Sequence, residues 1–341
     1  MQKVFAAKCN HRHIAPGAAI ITLAVFVVAL IQKRSTLNFY LSYKDDDLDC
    51  YFRDEENLPF ANDHDFLSRK QIFFHETSCK GGLDSRQACA IESAAKVNRD
   101  WDINVFFVGP PSPMFLNSFV YKVLSQTNNI NFYRVIISKF KDDTPMRHLM
   151  PTDKKYNLRN IAEMLRFLTL YKYGGVYLDL DLISVRSLGA FPPNWVAKLS
   201  SGTLAAGALG LAKDDVGRTI SGQIIQNFNK LYDPTLWNQL SKGVLTHSLR
   251  DVCATKSVGK MSNQTCPGIV VFNRTHFYPI HYAHADLYFA PGELNPPHTY
   301  GHNIWNNRSR RIAAPRDSLL ANLARQFCPV TYQMHGDKFG Y

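Results

Sequence analysis

The ten residues Lys172-Tyr-Gly-Gly-Val-Tyr-Leu-Asp-Leu-Asp181 constrain the fold more than any other segment of the chain. A run of helical periodicity, with Ile161, Leu165 and Leu168 on one face beside Met164 and Tyr171, ends at Gly174 and Gly175. Glycine is the residue that most readily stops a helix in the left-handed region. A β-rich stretch follows, carrying Asp179 and Asp181 two positions apart. Side chains at i and i+2 of a strand point to one side, so the reading predicts both carboxylates facing one ligand. Two hard oxygen donors at that place suit a divalent cation that shares the rest of its shell with water and substrate phosphates.

Upstream, apolar runs alternate with helical patterns. Gln71–His75, Asn104–Val108 and Phe132–Ile137 read as strands, and Ala88, Ile91, Ala94 and Ala95 and then Phe115–Leu124 as helices. Strand and helix in alternation predict an α/β fold with a mostly parallel sheet flanked by helices, whose ligands bind at the strands' carboxyl ends. The formal charge of +11 is spread rather than clustered, and no nucleic-acid signature accompanies it. An anionic nucleotide substrate or an anionic membrane accounts for the excess, and nucleic acid is not expected as a partner.

The N-terminus predicts a compartment. Ile14 to Ile31 is apolar and long enough to span a bilayer, with Lys3, Lys8 and Arg12 before it and Lys33 and Arg34 after it. Val27-Val-Ala29 is a poor cleavage site, which favours an uncleaved signal-anchor over a signal peptide. The predicted organisation is a cytosolic tail at 1–13, a transmembrane segment at 14–31, a polar luminal stem at 32–67 and a catalytic domain at 68–341. Six cysteines follow the span, an even set that predicts disulfides, with Cys79–Cys89 and Cys253–Cys266 the first expected pairs because each closes a short loop. The pairing of Cys50 and Cys328 stays open. Glycosylation sequons at Asn263, Asn273 and Asn307 all fall in the predicted luminal part. His281 and His284 follow a strand and a turn, not a helix, and read as ordinary surface or packing residues.

Phe73-Phe-His-Glu-Thr-Ser78, Cys89-Ala-Ile-Glu-Ser-Ala-Ala95, the Tyr171–Asp181 stretch, Phe277-Tyr-Pro-Ile280, Ile304-Trp-Asn306 and Phe327-Cys-Pro-Val330 together resemble the α-1,4-galactosyltransferase and α-1,4-N-acetylglucosaminyltransferase family. The resemblance implies a GT-A fold, a retaining hexosyl transfer forming an α1,4 bond, Mn²⁺, a UDP-sugar donor carrying galactose or an N-acetylated hexosamine, a glycosphingolipid acceptor, and residence in the Golgi membrane as a single-pass type II protein. On it, Asp179 and Asp181 hold the metal and Arg166 contacts the nucleotide, Trp305 lines the pocket, and Glu76 supports the first strand. No nucleophile is identified.

Four positions depart from the family pattern. Ala162-Glu163 stands for Ser-Asp, Ala206-Gly207 for Asn-Gly, Ser241-Lys242 for Gly-Pro, and Asn303 for the histidine of a His-X-Trp motif, with His302 one place off. A one-residue shift on a strand turns a side chain to the other face. These changes set a second reading beside the enzyme: a catalytically weak or inactive Golgi paralogue that binds other glycosyltransferases.

Overall fold

The structure, a computed structural model, describes residues 50–340 apart from 52, 54, 68–69, 148–157, 232–239, 293–295 and 310–311, and leaves undescribed the side chains of 158–160, 231 and 240–242. The predicted tail, transmembrane segment and first part of the stem lie outside the described residues, as does the side chain of Lys242. Among the described residues no helix is long and apolar enough to cross a membrane.

Strand β1 (Gln71–Glu76) is buried at every position, which places it inside a sheet covered on both faces. Helix α1 (Ser85–Val97) follows, started by Asp84, whose carboxylate accepts the Arg86 and Gln87 N–H groups while the Gln87 side chain accepts the Asp84 N–H. Then come β2 (Asp102–Phe107), α2 (Phe119–Ser125), β3 (Ile130–Arg134) and α3 (Leu158–Tyr173). Helix α3 ends where expected, with Gly174 at φ +69° and Gly175 at φ +97°. A side chain at Gly174 would meet the Lys213 amide nitrogen at 2.7 Å, so both the turn and the neighbouring chain require glycine. The remainder is β4 (Gly175–Leu178), β5 (Leu182–Ser184), β6 (Trp195–Lys198), β7 (Leu204–Leu211), α4 (Asp215–Leu231), α5 (Leu240–Val252), β8 (Val270–Phe272), β9 (Gly301–Asn303), α6 (Leu319–Phe327) and α7 (Pro329–His335), with short 3₁₀ and α turns between them.

Seven strands make one sheet in the order β3-β2-β1-β4-β7-β6-β8. Pairs β1–β2, β2–β3, β1–β4 and β6–β8 are parallel, and β7 runs antiparallel to both its neighbours. This is the α/β arrangement anticipated, a mostly parallel sheet between helices. Its inner strands read as continuous apolar runs because both faces are covered. One core cluster joins Phe73, Phe106 and Tyr177 to Leu165, Leu168, Ile224 and Leu245 of the helices on one side. Another joins Phe74, Val105 and Leu178 to Ala88, Ile91 and Ala94 of α1 on the other. A third, smaller cluster packs α6 against the two-stranded β5–β9 sheet.

Three expectations change. The carboxylate stretch is not a strand throughout: β4 stops at Leu178, Asp179–Asp181 form a turn closed by the Leu182 N–H to the Asp179 carbonyl (3.0 Å), and β5 pairs with β9 in the second sheet. The packed unit also begins before residue 68. Tyr51, Leu58 and Phe66 are buried, and Phe60 bridges to Arg134 at the edge of the sheet, so this acid-rich stretch is not a free tether. Finally, Cys79 pairs with Cys50 and Cys89 with Cys328; only Cys253–Cys266 follows the short-loop expectation. Cys89 lies in the third cluster beside Cys328, facing α6, whereas Cys79 leaves β1 on the side of the Cys50–Tyr51 turn.

Candidate active site

The site is built where β4 leaves the sheet. Strand β1 lies between β2 and β4, so the order of the parallel strands reverses beside β4, and a crevice at the carboxyl ends is expected there. Because β7 is antiparallel, its pairing of Ala208 with Leu178 brings Ala206 and Gly207 alongside Asp179. The Asp179 N–H donates to the Gly207 carbonyl at 2.8 Å, and the Asp181 carbonyl accepts the Ile304 N–H at 2.8 Å. Each aspartate is therefore pinned by its backbone to a different sheet, and the turn between them supplies the convergence that a strand's alternation was expected to give.

Asp179 is held by two donors. The Tyr177 hydroxyl donates to its Oδ1 at 2.8 Å, and the Arg166 guanidinium lies 3.3 Å from the same oxygen. Arg166 also donates to the Ala206 carbonyl at 2.7 Å and covers the Tyr177 ring at 4.7 Å. Burial works against the Arg166 charge, but Asp179 first, with Tyr177 and Glu163 behind it, more than offsets this and holds the guanidinium above its ordinary value. Glu163, buried one turn earlier on α3, thus acts on the site through Arg166. Ala206 contributes its carbonyl; its side chain is buried. The other oxygen, Asp179 Oδ2, faces the bare Cα of Gly207: a Cβ there would stand 2.2 Å from it and 2.9 Å from the Tyr278 hydroxyl.

Asp181 is gripped by the far segment of the chain. Its Oδ1 accepts the Asn303 side-chain amide at 2.8 Å and its Oδ2 the Asn306 N–H at 3.2 Å. Burial, followed by the charge of Asp179, pushes the Asp181 carboxyl up to about 7, against the pull of these two donors. His302 turns the opposite way, buried against the Tyr288 hydroxyl at 3.4 Å. Asn303, the next residue, faces the other way and reaches Asp181. Trp305 donates its indole N–H to the Ile280 carbonyl at 3.0 Å and its backbone N–H to Asn303 Oδ1 at 3.1 Å.

Four residues of this arrangement were not singled out by sequence. Tyr177 and Tyr278 are buried beside the carboxylates, and burial first, then Asp179, raises both hydroxyls well above the ordinary tyrosine value, so both remain donors. His75 packs on Tyr177 at 4.9 Å and meets the Thr169 hydroxyl at 3.2 Å; burial, with Arg166 behind it, keeps the imidazole neutral. Arg86, 2% exposed near the start of α1, donates to Asn306 Oδ1, to the Ser309 hydroxyl and carbonyl and to the Ile312 carbonyl at 2.7–3.1 Å, and so braces the segment that caps Asp181. Only the i, i+2 spacing of Tyr177 to Asp179 was visible in advance. The other contacts are long-range.

The donor set fits a divalent cation in part. Two carboxylates converge, one with an oxygen set against the bare Cα of Gly207 and the other destabilised as an anion by burial and then by its neighbour, an arrangement that a cation relieves. Among the described residues no group of three or more histidine, cysteine or acidic side chains is poised for a metal, so among them Asp179 and Asp181 stand as a pair. A separate cavity of about 470 Å³, lined by Trp101, Tyr173, Trp195, Lys213 and Arg218, opens at the amino ends of β4 and β6, away from this site.

Glu76 sits at the end of β1 with Oε1 accepting the Ser78 N–H at 3.0 Å and hydroxyl at 2.6 Å, while Oε2 is buried without a hydrogen-bond partner. Burial pushes its carboxyl from 4.5 up to about 7, against Ser78 and Lys80. The folded state therefore binds this proton more tightly than the unfolded chain does. Its contribution is complete below pH 4.5 and is lost as pH rises through about 7, by about 3 kcal/mol in all. Urea midpoints at pH 5 and pH 8 are expected to show that loss in the wild type and a smaller one in Glu76→Gln; an equal loss in both rules out this carboxyl as its source.

The sequons at Asn263, Asn273 and Asn307 present exposed asparagines. His281 caps a 3₁₀ turn by accepting the Ala283 N–H, and His284 is exposed, as packing and surface residues would be.

Comparison with known proteins adds the chemistry. Residues 84–201 match the glycosyltransferase sugar-binding region containing DXD motif, which spans Asp179 and Asp181, and residues 213–335 match the alpha 1,4-glycosyltransferase conserved region, which spans Asn303 and Trp305. The chain is 26% identical over 294 residues to the alpha-1,4-N-acetylglucosaminyltransferase of Homo sapiens, covering 81% of this chain and 85% of that protein. It is 25% identical over 280 residues to the lactosylceramide 4-alpha-galactosyltransferase of Homo sapiens, covering 77% and 76%. The solved structure of the galactosyltransferase LgtC with donor and acceptor sugar analogs covers 77% of this chain at 14% identity and a TM-score of 0.40, too loose a likeness to bear on the site. With the two matched regions meeting at the carboxylate pair, the chain belongs to the alpha-1,4-glycosyltransferase family, the transferases that take a sugar from an activated donor.

Proposed function

We propose that this protein is a type II Golgi glycosyltransferase that moves a hexose, galactose or an N-acetylated hexosamine, from a UDP-sugar onto the terminal sugar of a glycosphingolipid, with retention and an α1,4 bond. The observation that carries the reading is the convergence of Asp179 and Asp181 at the carboxyl end of β4, with one oxygen of Asp179 set against the bare Cα of Gly207. These two residues would hold the divalent cation, Mn²⁺ on the family pattern. When bound, the cation supplies Lewis acidity that stabilises the departing diphosphate. Arg166 and Tyr177 fix the rotamer of Asp179, and Asn303 with the Asn306 N–H fixes that of Asp181, so neither carboxylate has to be ordered on binding. The buried Tyr278 hydroxyl adds a neutral donor at the same wall.

The test is transfer by the purified fragment from residue 36 onward, with UDP-Gal, UDP-GalNAc and UDP-GlcNAc side by side and Mn²⁺ present or chelated. Turnover with one donor is expected, falling about a hundredfold or more in Asp179→Ala and in Asp181→Ala. Equal transfer by wild type and both variants would sink the assignment. One observation favours the second reading, a non-catalytic partner of other glycosyltransferases: protein donors already engage three of the four carboxylate oxygens. A folded protein that turns over none of the three donors, and whose removal lowers the activity of another transferase, decides for that alternative.

A further inference from the structure

An aromatic row leads out of the carboxylate pair. Tyr278 is buried with its hydroxyl at the Gly207 wall. Trp305 lies 5.5 Å from it and is half-buried, and Tyr282 stands 6.2 Å from Trp305 with its ring at 71° and 45% of its surface exposed. The exposed Arg308 carries its guanidinium 5.4 Å over the Tyr282 ring. Trp305 is one of two non-glycine residues among those described with positive φ, at +55°. That conformation is unfavourable for a bulky side chain and persists only where surrounding bonds impose it. Here the Asn303 side chain accepts the Trp305 N–H, Ile280 accepts the indole N–H, and the Trp305 carbonyl accepts the Arg308 N–H at 2.8 Å. The backbone is thus held out of its preferred region, and the result is a tryptophan placed between the metal-type carboxylates and open solvent. The ring packs partly against two core clusters and leaves the rest of its surface open.

We infer that Trp305, Tyr282 and Arg308 form the acceptor subsite, a corner that takes the pyranose ring of a neutral sugar. The inference rests on the glycosyl-transfer reading and gives the far side of that site its residues. Two rings at 71° make the two walls of a corner, so a pyranose laid with its C–H face on one wall meets the other along its edge. Such a face is apolar and desolvates favourably on an aromatic surface. The hydroxyl rim needs directional donors and acceptors, which Arg308 and the Tyr282 hydroxyl offer at the mouth. The corner's inner end is Asn303 and Asn306, the residues that hold Asp181, so an occupant lies against the reacting end of a bound donor.

The test reads binding directly. In the fragment from residue 36, the indole N–H cross-peak of Trp305, assigned by its loss in Trp305→Phe, is followed while methyl β-galactoside, methyl β-N-acetylglucosaminide and methyl β-glucoside are titrated with UDP and Mn²⁺ present. At least one glycoside is expected to shift the Trp305 peak. Tyr282→Ala is expected to weaken its Kd about tenfold, and Arg308→Ala less, while calorimetric binding of UDP with Mn²⁺ stays within twofold of wild type. A Trp305 peak unmoved by all three sugars overturns the inference, and so does a Tyr282→Ala protein that binds the sugar as tightly as wild type. A sugar-dependent shift in a protein that fails to bind UDP with Mn²⁺ leaves the subsite standing and removes the glycosyl-transfer reading instead.

Discussion

Arg86→Met is expected to lower the melting temperature by roughly 10 °C and to cost the site its grip on Asp181. The wild-type guanidinium is buried near the start of α1 and serves four acceptors on a segment more than two hundred residues away: Asn306 Oδ1, the Ser309 hydroxyl, and the Ser309 and Ile312 carbonyls. It also lies 5.3 Å over the Phe289 ring. Burial lowers its pKa to about 10, with Asp84 and Asp181 pulling the other way, so it stays charged at neutral pH. Methionine fills a similar volume and can donate nothing. A buried acceptor left without a partner costs about 1–3 kcal/mol, and partial relaxation of a surface segment recovers some of that, leaving about 3–4 kcal/mol. At about 2–4 °C per kcal/mol for a domain approaching this size, the shift should be plain in a thermal scan.

A purely structural brace would stop at that loss. Arg86 should do more, because the segment it ties down also presents the Asn306 N–H to Asp181 and the left-handed Trp305 to solvent. Arg86→Lys keeps the charge but cannot reach four acceptors with one ammonium group. It is expected to fold with a smaller drop in melting temperature, yet to bind UDP with Mn²⁺ several-fold more weakly. A lysine variant with unchanged nucleotide affinity would confine Arg86 to stability. A methionine variant melting within 2 °C of wild type would remove even that role.

Arg86 also marks where the sequence stops being readable. Next to Asp84 and at a helix start, it looks like any solvated arginine, because the acceptors that bury it lie far along the chain. What the sequence does disclose is local or periodic. The apolar runs at β1 and β2 are legible because both faces of those strands are covered, and the α3 stop is legible because two glycines adopt positive φ there. Cys253–Cys266 is local and foreseeable, whereas Cys89–Cys328 depends on α1 meeting the C-terminal helices. Asp179 and Asp181 stand out by spacing, but how they converge does not follow from spacing. Strand alternation and a turn both bring i and i+2 together, and the end of β4 is set by the antiparallel β7 and by the Asn303–Asn306 segment. Asn303 and His302 are neighbours on β9 and so face opposite ways, which is why the first reaches Asp181 and the second Tyr288.

Gly207→Ala is expected to abolish detectable turnover, a loss of about a hundredfold or more, with only a modest change in stability. The position is an ordinary strand residue without positive φ, so alanine meets no backbone obstacle and the whole effect is steric. The added methyl would stand 2.2 Å from Asp179 Oδ2, far inside contact distance, and 2.9 Å from the Tyr278 hydroxyl. Asp179 cannot retreat with its backbone, because its N–H is bonded to the Gly207 carbonyl itself. Its carboxylate must rotate instead, which breaks the 2.8 Å bond from Tyr177 and the 3.3 Å pairing with Arg166. A displacement near 1 Å in a positioning group costs about a hundredfold in rate, whereas overpacking by one methyl costs about 1–3 kcal/mol of stability. Gly202→Ala is the control, exposed in the β6–β7 turn with nothing within 4 Å of the new methyl, and it should behave as wild type. The deciding measurement is calorimetric binding of UDP with and without Mn²⁺. If the Gly207→Ala protein loses the Mn²⁺-dependent part of the affinity while folding normally, Asp179 Oδ2 is the oxygen the cation needs. Should it bind as wild type does, this carboxylate oxygen is not part of the cation site, and the metal assignment at Asp179 falls with it.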